Sequence, residues 1–195
     1  MQAARGASLT SDSRPITRTP RLGSVLVVAL IAWAVDLGSK ILVVHQLTGH
    51  APVDVVGSLL RLNLTRNAGA AFSTGTSVTP VITVFAIVAL VAVLILARRT
   101  GDLVWAWAMG LLLAGIGGNL TDRLFRDPGP LRGHVVDFLE LPHWPVFNVA
   151  DVCITAAAVL IVVQAARNIP LAGPAGPAGP TGSAGAEDNG PAEDS

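Results

Sequence analysis

The chain has 195 residues, of which 51% are hydrophobic and only 13% are charged, against about 25% charged in an average soluble domain. The formal net charge is zero, so the basic excess typical of a nucleic-acid-binding protein is missing. A single cysteine, Cys153, excludes an intramolecular disulfide. These features favour one domain that lies in a membrane.

Four long apolar runs predict four membrane-spanning helices, at residues 23–44, 80–97, 103–121 and 149–166. Each run can cross about 30 Å of hydrocarbon when its interfacial ends are included. In lipid, such segments must be helical to satisfy their own backbone groups. The first run is too long for the apolar region of a cleaved signal peptide and is interrupted by charges. The predicted fold is therefore an all-α membrane protein with four transmembrane helices.

The chain divides into three parts. Residues 1–21 form a polar N-terminal extension, residues 22–167 form the membrane domain, and residues 168–195 form an Ala-, Gly- and Pro-rich tail that we expect to be disordered. Between the first two helices, residues 53–56 and 60–64 are typical of short strands joined by a turn at residues 57–58. They predict a small β platform.

The arginines predict the orientation of the helices. Positive residues close to helix ends favour the cytoplasmic side, and the N-terminal arginines and the Arg98–Arg99 pair have that position. We therefore predict that both termini are cytoplasmic and that the β platform lies on the outer surface. Trp105 and Trp107 then fall at the inner interface and Trp144 at the outer one.

Polar residues of the predicted helices and outer loops collect towards this outer face. A charge at the centre of a spanning helix costs about 2.5–3.5 kcal/mol, so the clustering indicates one shared site. Its members are Asp36, Lys40, Asn67, Gly69, Asn119, Asp122, Arg123, Asp137, Asn148 and Asp151.

Several members also have a purely structural interpretation. Asp36 and Lys40, four residues apart on one helical face, can be a neutralised pair that ties the first helix to its neighbours. Arg123 can pair with Asp122, or bind a carbonyl or a lipid phosphate. Gly115 begins a Gly-x-x-Gly face that permits close helix approach.

Asp137 and Asp151 are candidates for acid–base chemistry. Pro142 and Pro145 prevent a continuous helix between them, so the chain can fold one acid towards the other. Two close carboxylates in a poorly solvated place share their ionisation unequally, and one keeps its proton. Such a pair can activate a water and protonate a departing amide nitrogen. By spacing alone, Asp122 competes with Asp137 as the partner of Asp151, and independent helix-end acids are an alternative.

Other functions fit the pattern less well. The four histidines lack zinc-ligand spacing, and the adjacent side chains of Ser39 and Lys40 diverge on a helix. A transporter should carry polar residues through both halves of the membrane, whereas the inner half is almost bare. A non-catalytic assembly or lipid-binding protein on the same helices stays an alternative.

Four blocks of residues, in the same order along the chain, resemble those of the bacterial lipoprotein signal peptidases, also called signal peptidase II. Leu37-Gly38 departs from the pattern, since the family often has Gln after the aspartate, but it leaves the charged pair intact; the N-terminal extension and the acidic tail also lie outside the common pattern. The blocks are Asp36-Leu37-Gly38-Ser39-Lys40, Asn67-Ala68-Gly69-Ala70-Ala71-Phe72, Gly118-Asn119-Leu120-Thr121-Asp122-Arg123 with Val135-Val136-Asp137-Phe138, and Phe147-Asn148-Val149-Ala150-Asp151.

The resemblance implies an aspartic endopeptidase of the bacterial cytoplasmic membrane, with its active site at the extracytoplasmic face. It implies cleavage of diacylglyceryl-modified prolipoproteins on the N-terminal side of the lipidated cysteine. The catalytic pair would be Asp137 and Asp151 rather than Asp122. The residues expected to line or support the substrate site are Asp36, Lys40, Asn67, Gly69, Gly115, Asn119, Asp122, Arg123 and Asn148.

The same resemblance sets expectations for partners. These are lipid-modified prolipoproteins and membrane phospholipid, without nucleic acid, and the protein is expected to act as a monomer. No metal or organic cofactor is expected, and globomycin, a cyclic lipopeptide, is an expected inhibitor.

Overall fold

The computed structural model describes residues 20–69 and 78–172. Most of the predicted N-terminal extension and, from residue 173, the predicted disordered tail lie outside this range. In chain order the elements are α1 (Leu22–Leu47), β1 (Val53–Val56), β2 (Leu60–Asn67), α2 (Thr79–Ala97), α3 (Leu103–Phe125), β3 (Val135–Glu140) and α4 (Val149–Ala166).

All four helices are long and apolar enough to cross a membrane, which confirms the prediction of four spans. The sequence pattern ended the third helix at Thr121, because charges follow. In the structure α3 continues to Phe125. Asp122 and Arg123 belong to its last turns with their side chains buried, so the charges face protein rather than ending the helix.

Helix α3 is the centre of the bundle. In its most apolar stretch 56% of residues are buried, against 11% for α2. Glycines allow its neighbours to approach closely. A Cβ added at Gly110 would lie 2.8 Å from the Val25 carbonyl oxygen of α1, and one at Gly115 would lie 2.5 Å from the Ala150 carbonyl oxygen of α4. The small-residue face predicted at Gly115 therefore contacts α4.

The β platform is larger than predicted. It is a three-stranded antiparallel sheet in the order β1-β2-β3. The third strand comes from the connection between α3 and α4, so Asp137 lies on a strand and not in a loop, opposite Thr65 of β2. Val136 and Phe138 of β3 pack with Val43 of α1. This packing fixes the sheet against one end of the helix bundle.

The opposite end of the bundle also buries polar groups. Asp102 is the N-cap of α3 and accepts hydrogen bonds from backbone amides of its first turn. The buried Gln164 of α4 donates to the same carboxylate at 2.7 Å. The chain after α4 folds back here, since the Trp105 indole Nε1 donates to the Ile169 carbonyl at 3.0 Å. Gln164 was not among the predicted polar residues, and the half of the bundle away from the sheet is less bare than expected.

Candidate active site

Asp151 is held by the start of α4. Asn148 is the N-cap, and its side chain accepts from the Asp151 amide at 3.0 Å, while the Asp151 carboxylate accepts from the Asn148 amide at 3.1 Å. Reciprocal bonds of this kind satisfy two otherwise unpaired amides. The other carboxylate oxygen of Asp151 accepts from the Asn119 amide of α3 at 2.9 Å. The Asp151 carboxylate is therefore fixed at the N-terminus of α4 by one backbone donor and one side-chain donor.

Asp137 is brought to the same place by β3. Its carboxylate is buried and accepts from the Asn148 side-chain amide at 2.6 Å and from the Asn67 side-chain amide at 2.9 Å. Asn148 therefore binds both acids, Asp137 through its side chain and Asp151 through its backbone. The predicted pair meets where the sheet packs on the beginning of α4.

The two acids have different surroundings. Burial raises the pKa of the Asp137 carboxyl above its ordinary value, and the negative charge of Asp151 raises it further. Hydrogen bonds from Asn67 and Asn148 oppose this shift by stabilising the charged form. Burial has the largest effect, so Asp137 keeps its proton to a higher pH than a free aspartate.

Lys40 is the cation at the centre of the network. It is completely buried, forms ion pairs with Asp36 and Asp122 at 2.9 Å each, and donates to the Asn119 side-chain oxygen at 3.1 Å. The other oxygen of Asp36 accepts from the Ala150 amide of α4 at 2.8 Å. These bonds join α1, α3 and α4. Because Lys40 binds the side-chain oxygen of Asn119, the side-chain nitrogen of Asn119 is the group that points to Asp151.

Asp122 has structural partners on both oxygens. It forms ion pairs with Lys40 and Arg126, and it accepts from the Val136 amide at 3.2 Å. The last bond supports β3 one residue before Asp137. Within the described part of the chain, Asp122 has no hydrogen bond to Asp151, and it lies behind the pair rather than in it.

Arg123 packs against the loop after β2. A Cβ at Gly69 would lie 3.0 and 3.2 Å from two guanidinium nitrogens of Arg123, and the φ of Gly69 is +93°. The positive φ favours glycine here, and a larger residue would also have to displace the Arg123 side chain. Nη1 of Arg123 is buried and has no hydrogen-bond partner among the described residues. The expected pairing of Arg123 with Asp122 is absent in that range, where Lys40 and Arg126 take its place. Ala70, Ala71 and Phe72 of the same motif lie outside the described residues.

An open apolar groove of about 390 Å³ runs along the flank of α4 and reaches the pair through Asp151. It offers a peptide or acyl chain a route to the acids from the side of the helix bundle. Sequence reasoning missed the aromatic part of its wall, although two aromatic residues shortly before the Asn-x-x-Asp segment were the available signal. The lining residues are Trp144, Phe147, Asp151, Val152, Thr155 and Ala156.

Chemically, the site combines one acid with a raised pKa, Asp137, and a second acid at a helix N-terminus, Asp151. The two sit close together, held by amide side chains, with access from an apolar groove. This is the equipment for general acid–base hydrolysis of an amide.

Comparison with known proteins gives the family. A family model described as signal peptidase (SPase) II matches residues 28–167. The chain is 47% identical to the lipoprotein signal peptidase of Streptomyces coelicolor over 149 residues, which cover 76% of this chain and 73% of that protein. It is 45% identical to the lipoprotein signal peptidase of Mycobacterium avium over 155 residues, covering 79% and 85%.

Solved structures show the same fold. One bacterial membrane enzyme, determined by the in meso method at 1.9 Å resolution, superposes with a TM-score of 0.68 at 24% identity, covering 77% of this chain and 97% of that one. A second, at 2.3 Å resolution, gives a TM-score of 0.63 at 23% identity, with coverage of 78% and 93%.

Proposed function

Because the chain belongs to the signal peptidase II family, we propose that it removes signal peptides from prolipoproteins that carry diacylglycerol on a cysteine. The cut lies on the N-terminal side of that cysteine. The observation that carries the proposal is the contact of Asn148 with both Asp137 and Asp151, because it joins two acids from different elements into one site.

The pair would divide the work of hydrolysis. The Asp151 carboxylate takes a proton from a water molecule while the water oxygen attacks the scissile carbonyl carbon. Asp137 gives its proton to the amide nitrogen as the C–N bond breaks. The products are a signal peptide with a new carboxylate and a lipidated cysteine with a free amine. The raised pKa of Asp137 supports its role as the acid.

The placement of the site suits a lipidated substrate. The groove beside Asp151 is lined mainly by apolar residues of α4, so a substrate can approach from within the bilayer. The sheet covers the acids on the side away from the helices, which limits bulk water and strengthens electrostatic interactions. We propose that the termini are cytoplasmic and that the sheet and the acids lie at the extracytoplasmic face of the bacterial cytoplasmic membrane, where the protein acts as a monomer.

The test is cleavage of a diacylglyceryl-modified prolipoprotein by the purified protein in detergent. Asp137→Asn and Asp151→Asn should each lower kcat by at least about 10³-fold, because each removes one half of the acid–base pair. Each asparagine turns an NH2 group towards a donor that the carboxylate accepted from, so each variant should lose about 1–3 kcal/mol of stability. Thermal unfolding in detergent must therefore show that each variant is folded at the assay temperature.

Asp127→Asn is the matched control, because Asp127 is an exposed acid at the same end of the molecule and loses the same charge. It should cut at the wild-type rate. Wild-type activity in a folded Asp137 or Asp151 variant would show that the pair is misassigned. An inert wild type would favour a binding or assembly protein that keeps the scaffold without the chemistry.

A further inference from the structure

A second cavity, of about 290 Å³, lies at the end of the sheet. Unlike the apolar groove, its wall carries polar side chains, among them Ser58, Arg61, Glu140 and His143. Trp144 borders both cavities. The two are therefore neighbours around the turn that follows β3, and the proposed chemistry does not use the second one.

The Glu140 carboxylate contributes an unpaired hydrogen-bond acceptor to this cavity. Its Oε2 is buried and has no hydrogen-bond partner among the described residues. Arg61 lies directly opposite Glu140 in the sheet, but its Nε forms an ion pair with Asp54 at 2.9 Å. A buried acceptor without a donor costs about 1–3 kcal/mol, so a ligand that brings an N–H group or a cation gains by entering.

We propose that this cavity, lined by Ser58, Arg61, Glu140 and His143, binds the polypeptide of the substrate on the C-terminal side of the lipidated cysteine. The inference rests on the proposed function. Glu140 accepts from a basic side chain, and the Arg61 guanidinium donates to a carbonyl. The cavity is a specificity subsite for the mature part of the lipoprotein.

Location favours a polypeptide over a lipid. The signal peptide and the acyl chains belong in the bilayer, beside the apolar groove, whereas the mature chain must leave the membrane past the sheet. Asp137 and Glu140 are three residues apart on β3, or roughly 10 Å, on opposite faces of the strand. A substrate must also pass around the strand end beside Trp144. The cavity is thus reached about three or more extended residues after the cleaved bond.

The charges around the cavity predict which substrate side chains are preferred. The Arg61 charge is offset by Asp54, which leaves the Glu140 carboxylate as the charge that a substrate side chain meets. A basic residue at the matching position should be favoured and an acidic one disfavoured. For partly exposed charges, the expected difference in kcat/KM is about fivefold.

The experiment compares lipid-modified substrates with Lys, Gln or Glu at each of the second to fifth positions after the cysteine. The wild type should prefer Lys over Glu by about fivefold at one of these positions. Glu140→Gln should abolish that preference while it cuts the Gln substrate within about twofold of the wild-type rate. Asp127→Asn loses the same charge outside the cavity and should keep the preference.

Each outcome decides the proposal. Equal wild-type efficiencies at all four positions, or a preference that survives Glu140→Gln, would overturn it. If Glu140→Gln slows all substrates equally and added phospholipid restores the rate, the cavity binds a lipid head group and the proposal is wrong. If the wild type cuts none of the substrates, the proposed function itself has failed, which is a distinguishable result.

Discussion

Each end of the helix bundle buries at least one polar side chain completely, but for a different purpose. Lys40 at one end and Gln164 at the other are both completely inaccessible to solvent. Each contacts an aspartate, Asp36 and Asp122 for Lys40 and Asp102 for Gln164. Complete burial of one polar side chain therefore does not by itself identify a site.

Their bonding patterns separate them. At the Gln164 end, Asp102 is the N-cap of α3. Its carboxylate accepts from backbone amides of the first turn of that helix. At the Lys40 end, side chains from three helices and two strands bind each other, and an open groove reaches Asp151. A network of side-chain bonds that spans several elements, together with access from a groove, therefore marks the site, whereas a single buried bond such as that of Gln164 to Asp102 does not.

Removing the buried polar group at each end tests this difference, and it should give the largest effects on stability. Lys40→Met leaves the Asp36 and Asp122 carboxylates buried without their shared cation, which should lower the free energy of unfolding by about 3–5 kcal/mol. Gln164→Leu leaves Asp102 its helix-cap bonds and should cost about 1 kcal/mol. Equilibrium denaturation in mixed detergent measures both.

Activity adds a second contrast for the same two variants. Folded Lys40→Met protein should have lost most of its cleavage activity, because Lys40 orients the Asn119 amide that binds Asp151. Gln164→Leu should keep the wild-type kcat. Equal losses of stability and activity in the two variants would contradict the distinction between the two ends.

Neighbouring glycines of α3 provide a finer comparison. A Cβ at Gly118 would overlap the Asp36 carboxylate, whereas one at Gly117 would meet only Trp33, at 3.9 Å. Gly118→Ala should destabilise the protein by about 1–3 kcal/mol through overpacking. Gly117→Ala should stabilise it by about 0.5–1 kcal/mol, because alanine favours a helix interior. Thermal unfolding in detergent distinguishes the two, and a shift of the same sign in both would refute the packing argument.

The sequence predicts the helical part of this structure well, because in lipid an apolar run has few alternatives to a helix. It also predicts which polar residues meet, since the cost of burying Asp36 or Lys40 alone makes a shared site the cheaper arrangement. The first two strands follow from their short length and the turn between them. These inferences all depend on local pattern and general energetics.

The third strand and the polar contacts at the other end could not be obtained in this way. Val135–Glu140 lacks clean alternation, because most of β3 is buried, and its partner β2 is about 70 residues earlier in the chain. Gln164 is one polar residue in an apolar run, and nothing nearby in sequence indicates its bond to Asp102. The choice between Asp122 and Asp137 likewise depends on long-range contacts to Lys40, Arg126 and β3.

The smallest expected effect concerns the protonation of Asp137. The hydrogen bond from Asn67 lowers the pKa of Asp137 against the dominant effect of burial, so Asn67→Ala should raise that pKa further. If Asp137 supplies the proton for cleavage, activity is present below this pKa and is lost as the pH rises through it. The alkaline limit of the pH–rate profile should then shift to higher pH in Asn67→Ala, while the maximal kcat falls by less than about tenfold.

Asn63→Ala is the control on the same strand, because among the described residues Asn63 has no hydrogen bond to either acid of the proposed pair. The alkaline limit of this variant should not move. The limb of the pH–rate profile that moves shows whether Asp137 is the acid or the base. If Asp137 were instead the base, the same rise in pKa would act on the acidic limb, where activity appears as the proton is lost. Displacement of that limb to higher pH, with a fixed alkaline limit, would exchange the roles of Asp137 and Asp151. It would leave the pair itself in place, since Asn148 binds both acids in either assignment.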